Sequence, residues 1–132
     1  MAFFVFFSII SEQFLSIANL GATFTMAAEL GLVTTGITML MISGEFDLSV
    51  GSVFAVVPMV MAIMINHGAN EILALIVAML VGIGTGLVNA LVTLKTFIPS
   101  FITTLGMKMF WRGILLAVTG GFPIILSHKS KV

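Results

Sequence analysis

The chain has 132 residues, of which 60% are hydrophobic and 8% charged, with a formal net charge of zero. Soluble domains carry roughly 25% charged residues, so composition alone makes this an integral membrane protein, with the lipid bilayer as its first partner. The basic residues Lys95, Lys108, Arg112, Lys129 and Lys131 all lie in the last third and form no basic stripe with interleaved aromatics, which excludes nucleic acid as a partner. The lack of cysteine excludes a disulfide framework, a thiolate metal site and a thiol nucleophile.

Met1 to Ile10 is apolar but only about half as long as the roughly 20 residues a bilayer-spanning helix needs. It lacks a basic n-region and an A-x-A-like cleavage site, so it reads as a partial first span and not as a signal peptide. Ser11 to Asn19 is more polar and predicts a short interfacial helix. Leu20 to Ser43 is the first full span, roughly 36 Å at about 1.5 Å per residue. Ala22, Ala27, Ala28, Gly31 and Gly36 make it narrow enough for a close neighbour. Glu29 interrupts this span, either as a polar lining or proton acceptor, or as a carboxyl kept neutral or paired with another helix.

The break ISGEFDLSVGS, Ile42 to Ser52, places Glu45 and Asp47 between long apolar runs. Polar backbone and carboxylates there are costly in lipid unless protein or a water-filled cavity satisfies them. Val53 to Ile65 holds Pro58 and is too short to cross by itself. The pattern predicts a span over about 48–65 that includes the motif, with Asp47 or Ser49 capping its start and Gly51 and Ser52 in its first turn. Discontinuous helices of this kind place polar backbone beside a transport pathway.

Asn66 to Glu71 is a polar turn whose His67 has no partner histidine nearby, since His128 is remote in sequence; no metal site is expected. The span over 72–94 is free of charge, and Ala74, Ala78, Gly82, Gly86 and Ala90 recur every fourth residue. That stripe predicts close helix packing. The glycines of VGIGTG lie inside the span without a Walker lysine, so they are no nucleotide site. Pro99 marks the start of a last span over about 100–118, where Lys108 and Arg112 share a helix face and either snorkel to headgroups or line the interior. By the positive-inside rule Lys95 is cytoplasmic, the Asn66–Glu71 turn outside and Met1 inside, which leaves Lys129 and Lys131 on the wrong side. The fold class expected is all-α: a polytopic transmembrane helix bundle with one broken helix around residues 44–52.

ISGEFDLSVGS, followed by IPSFITTLGMKMFWRGI and TGGFPI, resembles the permease subunits of bacterial ATP-binding cassette importers for simple sugars (the ribose, xylose, galactose and autoinducer-2 group), with branched-chain amino-acid permeases as more distant relatives. Asp47 to Ser52, Ile98, Pro99, Phe101, Thr104, Leu105, Gly106, Arg112 and Gly113 carry the resemblance, which covers nearly all of residues 12–126. Glu45 departs from the glycine common at that place. The resemblance implies a monosaccharide or similar small polar solute, a pair of permease subunits (identical or closely related), two cytoplasmic ATPase subunits and an extracytoplasmic sugar-binding protein, at the bacterial inner membrane. It implies no cofactor on this chain, because ATP would be used by the partner. Glu45, Asp47, Ser49, Gly51 and Ser52 would then line or shape the pathway, Ala78, Gly82, Gly86 and Ala90 pack the bundle, and Lys95, Lys108 and Arg112 lie toward the cytoplasm. The resemblance implies a longer protein with about twice the spans seen here, and residues 127–132 match nothing familiar in the family, so a fragment or a frameshifted tail is expected. An alternative is a small proton-coupled carrier using Glu29, Glu45 and Asp47. No HExxH, GxSxG or histidine–carboxylate spacing supports an enzyme, and no catalytic residue is expected.

Overall fold

The structure is a computed structural model that describes residues 1–126. Among these the only regular elements are five helices: α1 (Ala2–Ile10), α2 (Ile17–Ile42), α3 (Val50–Asn66), α4 (Glu71–Thr96) and α5 (Ser100–Thr119). Two compact units are formed, one from Met1 to Gly44 and one beginning at Glu45. Helices α2, α4 and α5 are long and apolar enough to cross a membrane, whereas α3 is a shorter apolar helix of 17 residues. His128, Lys129, Lys131 and the rest of the tail lie outside the described residues.

In the first unit the interfacial helix expected over Ser11 to Asn19 does not form. Turn bonds, Phe14 N–H to Ser11 C=O at 3.0 Å and Ser16 N–H to Gln13 C=O at 3.1 Å, replace it. Phe14 folds back onto α1, its ring centroid 5.5 Å from Phe4 and 6.0 Å from Phe7. The polar residues serve instead as a helix start. Ser16 Oγ accepts from Asn19 N–H at 3.2 Å, and Asn19 Nδ2 donates to Phe14 C=O at 2.7 Å. Helix α2 therefore begins at Ile17, ahead of the apolar run, because its cap lies among the polar residues. Thr23, Thr25, Thr34, Thr35 and Thr38 each donate to the carbonyl four residues back at 2.7–3.0 Å, which satisfies their hydroxyls inside the helix. Glu29 is exposed on α2.

The second unit is an up-down-up arrangement of α3, α4 and α5. Residues ascending α3 meet residues ascending α5 (Leu48 with Thr104, Ser52 with Lys108, Asn66 with Ile125), so these two helices run parallel. Against α4 the order reverses, Ser49 meeting Asn89 and Val57 meeting Gly82. Asn70 Oδ1 caps α4 by accepting from Ile72 N–H at 2.8 Å, and Glu71 and Lys95 complement the helix dipole at its two ends. Phe97, at φ 54°, and Gly120, at φ 63°, terminate α4 and α5 in the left-handed conformation. Pro58 lies inside α3 and has no N–H to offer the Phe54 carbonyl.

The small-residue stripe of α4 is used over only part of its length. Ala74 and Ala78 are 0% and 2% exposed, and a Cβ added to Gly82 would meet Val57 Cγ2 at 3.3 Å. Each i to i+4 step advances about 400° around a helix of 3.6 residues per turn, so such a stripe drifts by about 40° per step. By Gly86 and Ala90 it has left the packed face, and both residues are exposed. The packed face steps back by three to Thr85 and then Asn89, which are 3% and 4% exposed.

Ala78→Leu is expected to overpack the α3–α4 contact and cost about 1–3 kcal/mol, whereas Gly86→Ala, with open space around it, should stay within about 0.5 kcal/mol or stabilise the helix. Unfolding of both variants in mixed micelles, read by helicity, checks the contrast.

Candidate functional site

The helical path is interrupted from Ser43 to Ser49. Gly44, at φ +84°, turns the chain out of α2 in a conformation that favours glycine. Glu45 to Ser49 then lacks helical hydrogen bonds, and side chains of α5 and of the motif itself supply substitutes. Ser100 Oγ accepts from Phe46 N–H at 3.0 Å, and Thr104 Oγ1 accepts from Leu48 N–H at 3.1 Å. The one proton of Thr104 goes to Ser100 C=O at 2.7 Å, the nearer of its two carbonyl neighbours. Asp47 Oδ1 accepts from Ser49 N–H at 2.7 Å and from Ser49 Oγ at 2.6 Å, closing an Asx turn immediately ahead of α3. Ser49 is the N-cap residue, but its own side chain makes no capping bond, so the capping role falls to Asp47, two residues upstream.

The motif is also tied to α4. Asn89 Nδ2 donates to Ser49 Oγ at 2.6 Å, and Trp111 Nε1 of α5 donates to Asn89 Oδ1 at 2.9 Å. Ser52 Oγ donates to Lys108 C=O at 2.9 Å. Ser49, Ser52, Asn89, Ser100 and Thr104 are all buried. No buried side-chain nitrogen or oxygen among the described residues lacks a partner. In lipid, non-helical backbone is tolerated only where protein or a water-filled cavity satisfies it.

The residues singled out from the sequence have different fates. Asp47, Ser49 and Ser52 join this network. Gly51 is exposed, with open space around it. Glu45 is exposed and lines a cleft of about 330 Å³ with Thr93, Phe97, Pro99 and Ser100. Lys95 lies in the last turn of α4, and Lys108 and Arg112 are exposed midway along α5. His67 Nδ1 lies 2.8 Å from Ile63 C=O, a local helix-end contact. No cluster able to hold a metal ion occurs among the described residues. Another cavity, about 460 Å³, lies between the later turns of α3 and α5 and is mainly apolar, with Pro58, Met59, Leu115 and Phe122 in its wall.

Asn89 and Trp111 were not among the residues the sequence singled out, and Ser100 went unremarked. The signal for Asn89 was present: one amide in a span free of charge, where an unsatisfied polar group is costly. Its partner could not be read, because Ser49 and Trp111 are far from it in sequence.

The sequence profile of a family described as branched-chain amino acid transport system / permease component matches residues 19–127. Among curated proteins, the chain is 34% identical over 118 residues to the autoinducer 2 import system permease protein LsrC of Salmonella typhi, covering 89% of this chain and 34% of that protein. It is 31% identical over 121 residues to the LsrC of Yersinia enterocolitica, covering 92% of this chain and 34% of that protein. The xylose/arabinose import permease protein XylH of Sulfolobus acidocaldarius is 32% identical over 126 residues, covering 90% of this chain and 35% of that protein. The chain thus spans about a third of the length of these relatives. No solved structure matches it.

Thr104→Val keeps the shape of the side chain but leaves Leu48 N–H without its acceptor. A loss of about 0.5–1.5 kcal/mol is expected, the net worth of one part-buried hydrogen bond. Thr96→Val, which removes only a bond to its own helix at Val92 C=O, should cost much less. Paired unfolding curves for the two variants check this.

Proposed function

This chain belongs to the family of branched-chain amino acid transport system permease components, and on that premise we propose that it contributes part of the membrane-spanning pathway of an ATP-driven importer for a monosaccharide or similar small polar solute. The observation that carries the reading is the non-helical segment Glu45 to Ser49 ahead of α3, held by hydrogen bonds to polar side chains of α4 and α5. Fixing a polar segment by side-chain hydrogen bonds beside apolar helices is worthwhile where the segment itself has a task. The names of the relatives, import permeases for xylose/arabinose and for autoinducer 2, support a small oxygen-rich solute.

In this proposal Asp47, Ser49 and Ser52 set the shape of the break, and Glu45 lies at its mouth. Asp47 engages Ser49 through Oδ1 alone, so Oδ2 keeps acceptor capacity for a solute hydroxyl. Lys95 faces the cytoplasm, with Lys108 and Arg112 toward the same side. A second permease subunit, two ATPase subunits that hydrolyse ATP and an extracytoplasmic solute-binding protein complete the machine in a bacterial inner membrane. The chain itself holds no cofactor.

The test is reconstitution in proteoliposomes with candidate ATPase and binding-protein partners. Uptake is expected to require ATP, and Glu29→Gln is expected to leave the rate within about twofold, since a proton relay is not needed. Uptake that follows a proton gradient without ATP, and that Glu29→Gln abolishes, would overturn the proposal in favour of a proton-coupled carrier.

A further inference from the structure

The hydrogen bonds joining Trp111, Asn89, Ser49 and Asp47 run through three separate parts of the fold, and their chemistry allows only one direction. An indole N–H can only donate, so the Asn89 atom facing Trp111 at 2.9 Å must be its carbonyl oxygen. That choice turns the Asn89 amide nitrogen toward Ser49 Oγ, 2.6 Å away. Ser49 Oγ accepts there, so its single proton is directed to Asp47 Oδ1, also at 2.6 Å. A carboxylate can only accept and therefore ends the series. With a donor-only group at one end and an acceptor-only group at the other, no member can reverse without leaving a buried partner unmatched. Bonds in such a series polarise one another, and the last is charge-assisted.

We infer that Asn89 and Trp111 are positioning residues for the Asp47 carboxylate, acting through Ser49, so that the orientation of Asp47 in the break is set from α4 and α5. This deepens the importer reading by adding two residues to its site and rests on that reading for its functional meaning. Three observations favour it over simple packing. Asn89 is 4% exposed in a span otherwise without charge, and both ends of its amide are engaged. Ser49 is fully buried, so no solvent competes for its hydroxyl. Both bonds to Asp47 fall on one oxygen, Oδ1, which restrains the carboxylate and leaves the second oxygen its acceptor capacity.

Trp111 is the only tryptophan of the chain, so its indole N–H gives a single resonance that reports the far end of the series. The experiment is the ¹H–¹⁵N spectrum of the full chain in lipid nanodiscs. In the wild type the indole proton should lie downfield and exchange slowly. Asn89→Leu should move it upfield and lose that protection. Asp47→Ala, three hydrogen bonds away, should move it in the same direction by a smaller amount, as should Ser49→Ala. In the Ser49→Ala background Asp47→Ala should then move it no further, because Ser49 Oγ is the only route. An indole proton that Asp47→Ala leaves in place, or that Asp47→Ala still moves when Ser49 is alanine, overturns the inference. If a variant fails to fold, the wild-type spectrum alone suffices to overturn it, through an indole proton that exchanges freely. None of these readouts involves transport, so the inference can fail while the importer reading stands, and the reverse.

Discussion

Non-helical backbone inside a membrane-spanning bundle has to find hydrogen-bond partners within the protein. Seven residues, Ser43 to Ser49, separate α2 from α3, and side chains of the second unit supply acceptors to three of their amides. Hydroxyls at the start of α5 take the amides of Phe46 and Leu48, and the Asp47 carboxylate takes the amide of Ser49. A bond to water would do as well in a soluble protein. In lipid the alternative is an unsatisfied group costing several kcal/mol, so the serines and threonines of α5 are fixed to the loop they serve.

This requirement explains why polar and small residues, and not large apolar ones, form the buried part of the bundle. The buried apolar residues are Val56, Met59, Ala74 and Ala78, whereas seven serine, threonine and asparagine residues are buried beside them. Lipid is as apolar as leucine, so helices gain little from hiding leucine against one another. Leucines and phenylalanines consequently face outward along α4 and α5, and association rests on close approach at Ala74, Ala78 and Gly82 and on hydrogen bonds nearer the break. The two devices share one helix: small residues serve the first half of α4, and Thr85 and Asn89 serve the second.

The proposed function draws on the same arrangement. Side chains of the second unit hold three amides of the segment, both bonds to Asp47 fall on Oδ1, and the Glu45 carboxylate is exposed in a cleft. Preorganisation of this kind lowers the cost of ordering a site when a solute arrives. The permease family of the chain and the import permeases among its relatives fit such a site in a membrane.

Composition and apolar runs were enough to determine a helical membrane protein, because lipid imposes length and polarity limits that act locally along the chain. The departures at the edges have local causes too: the polar stretch before α2 became a turn and a cap once Ser16 and Asn19 found partners. Tertiary structure alone decided what the break is tied to. Asn89 and Ser49 lie 40 positions apart, and Asn89 and Trp111 lie 22 apart, so no periodicity could pair them. Helical drift likewise decided where the small-residue stripe stops packing, since a repeat of four cannot stay on one face of a helix with 3.6 residues per turn.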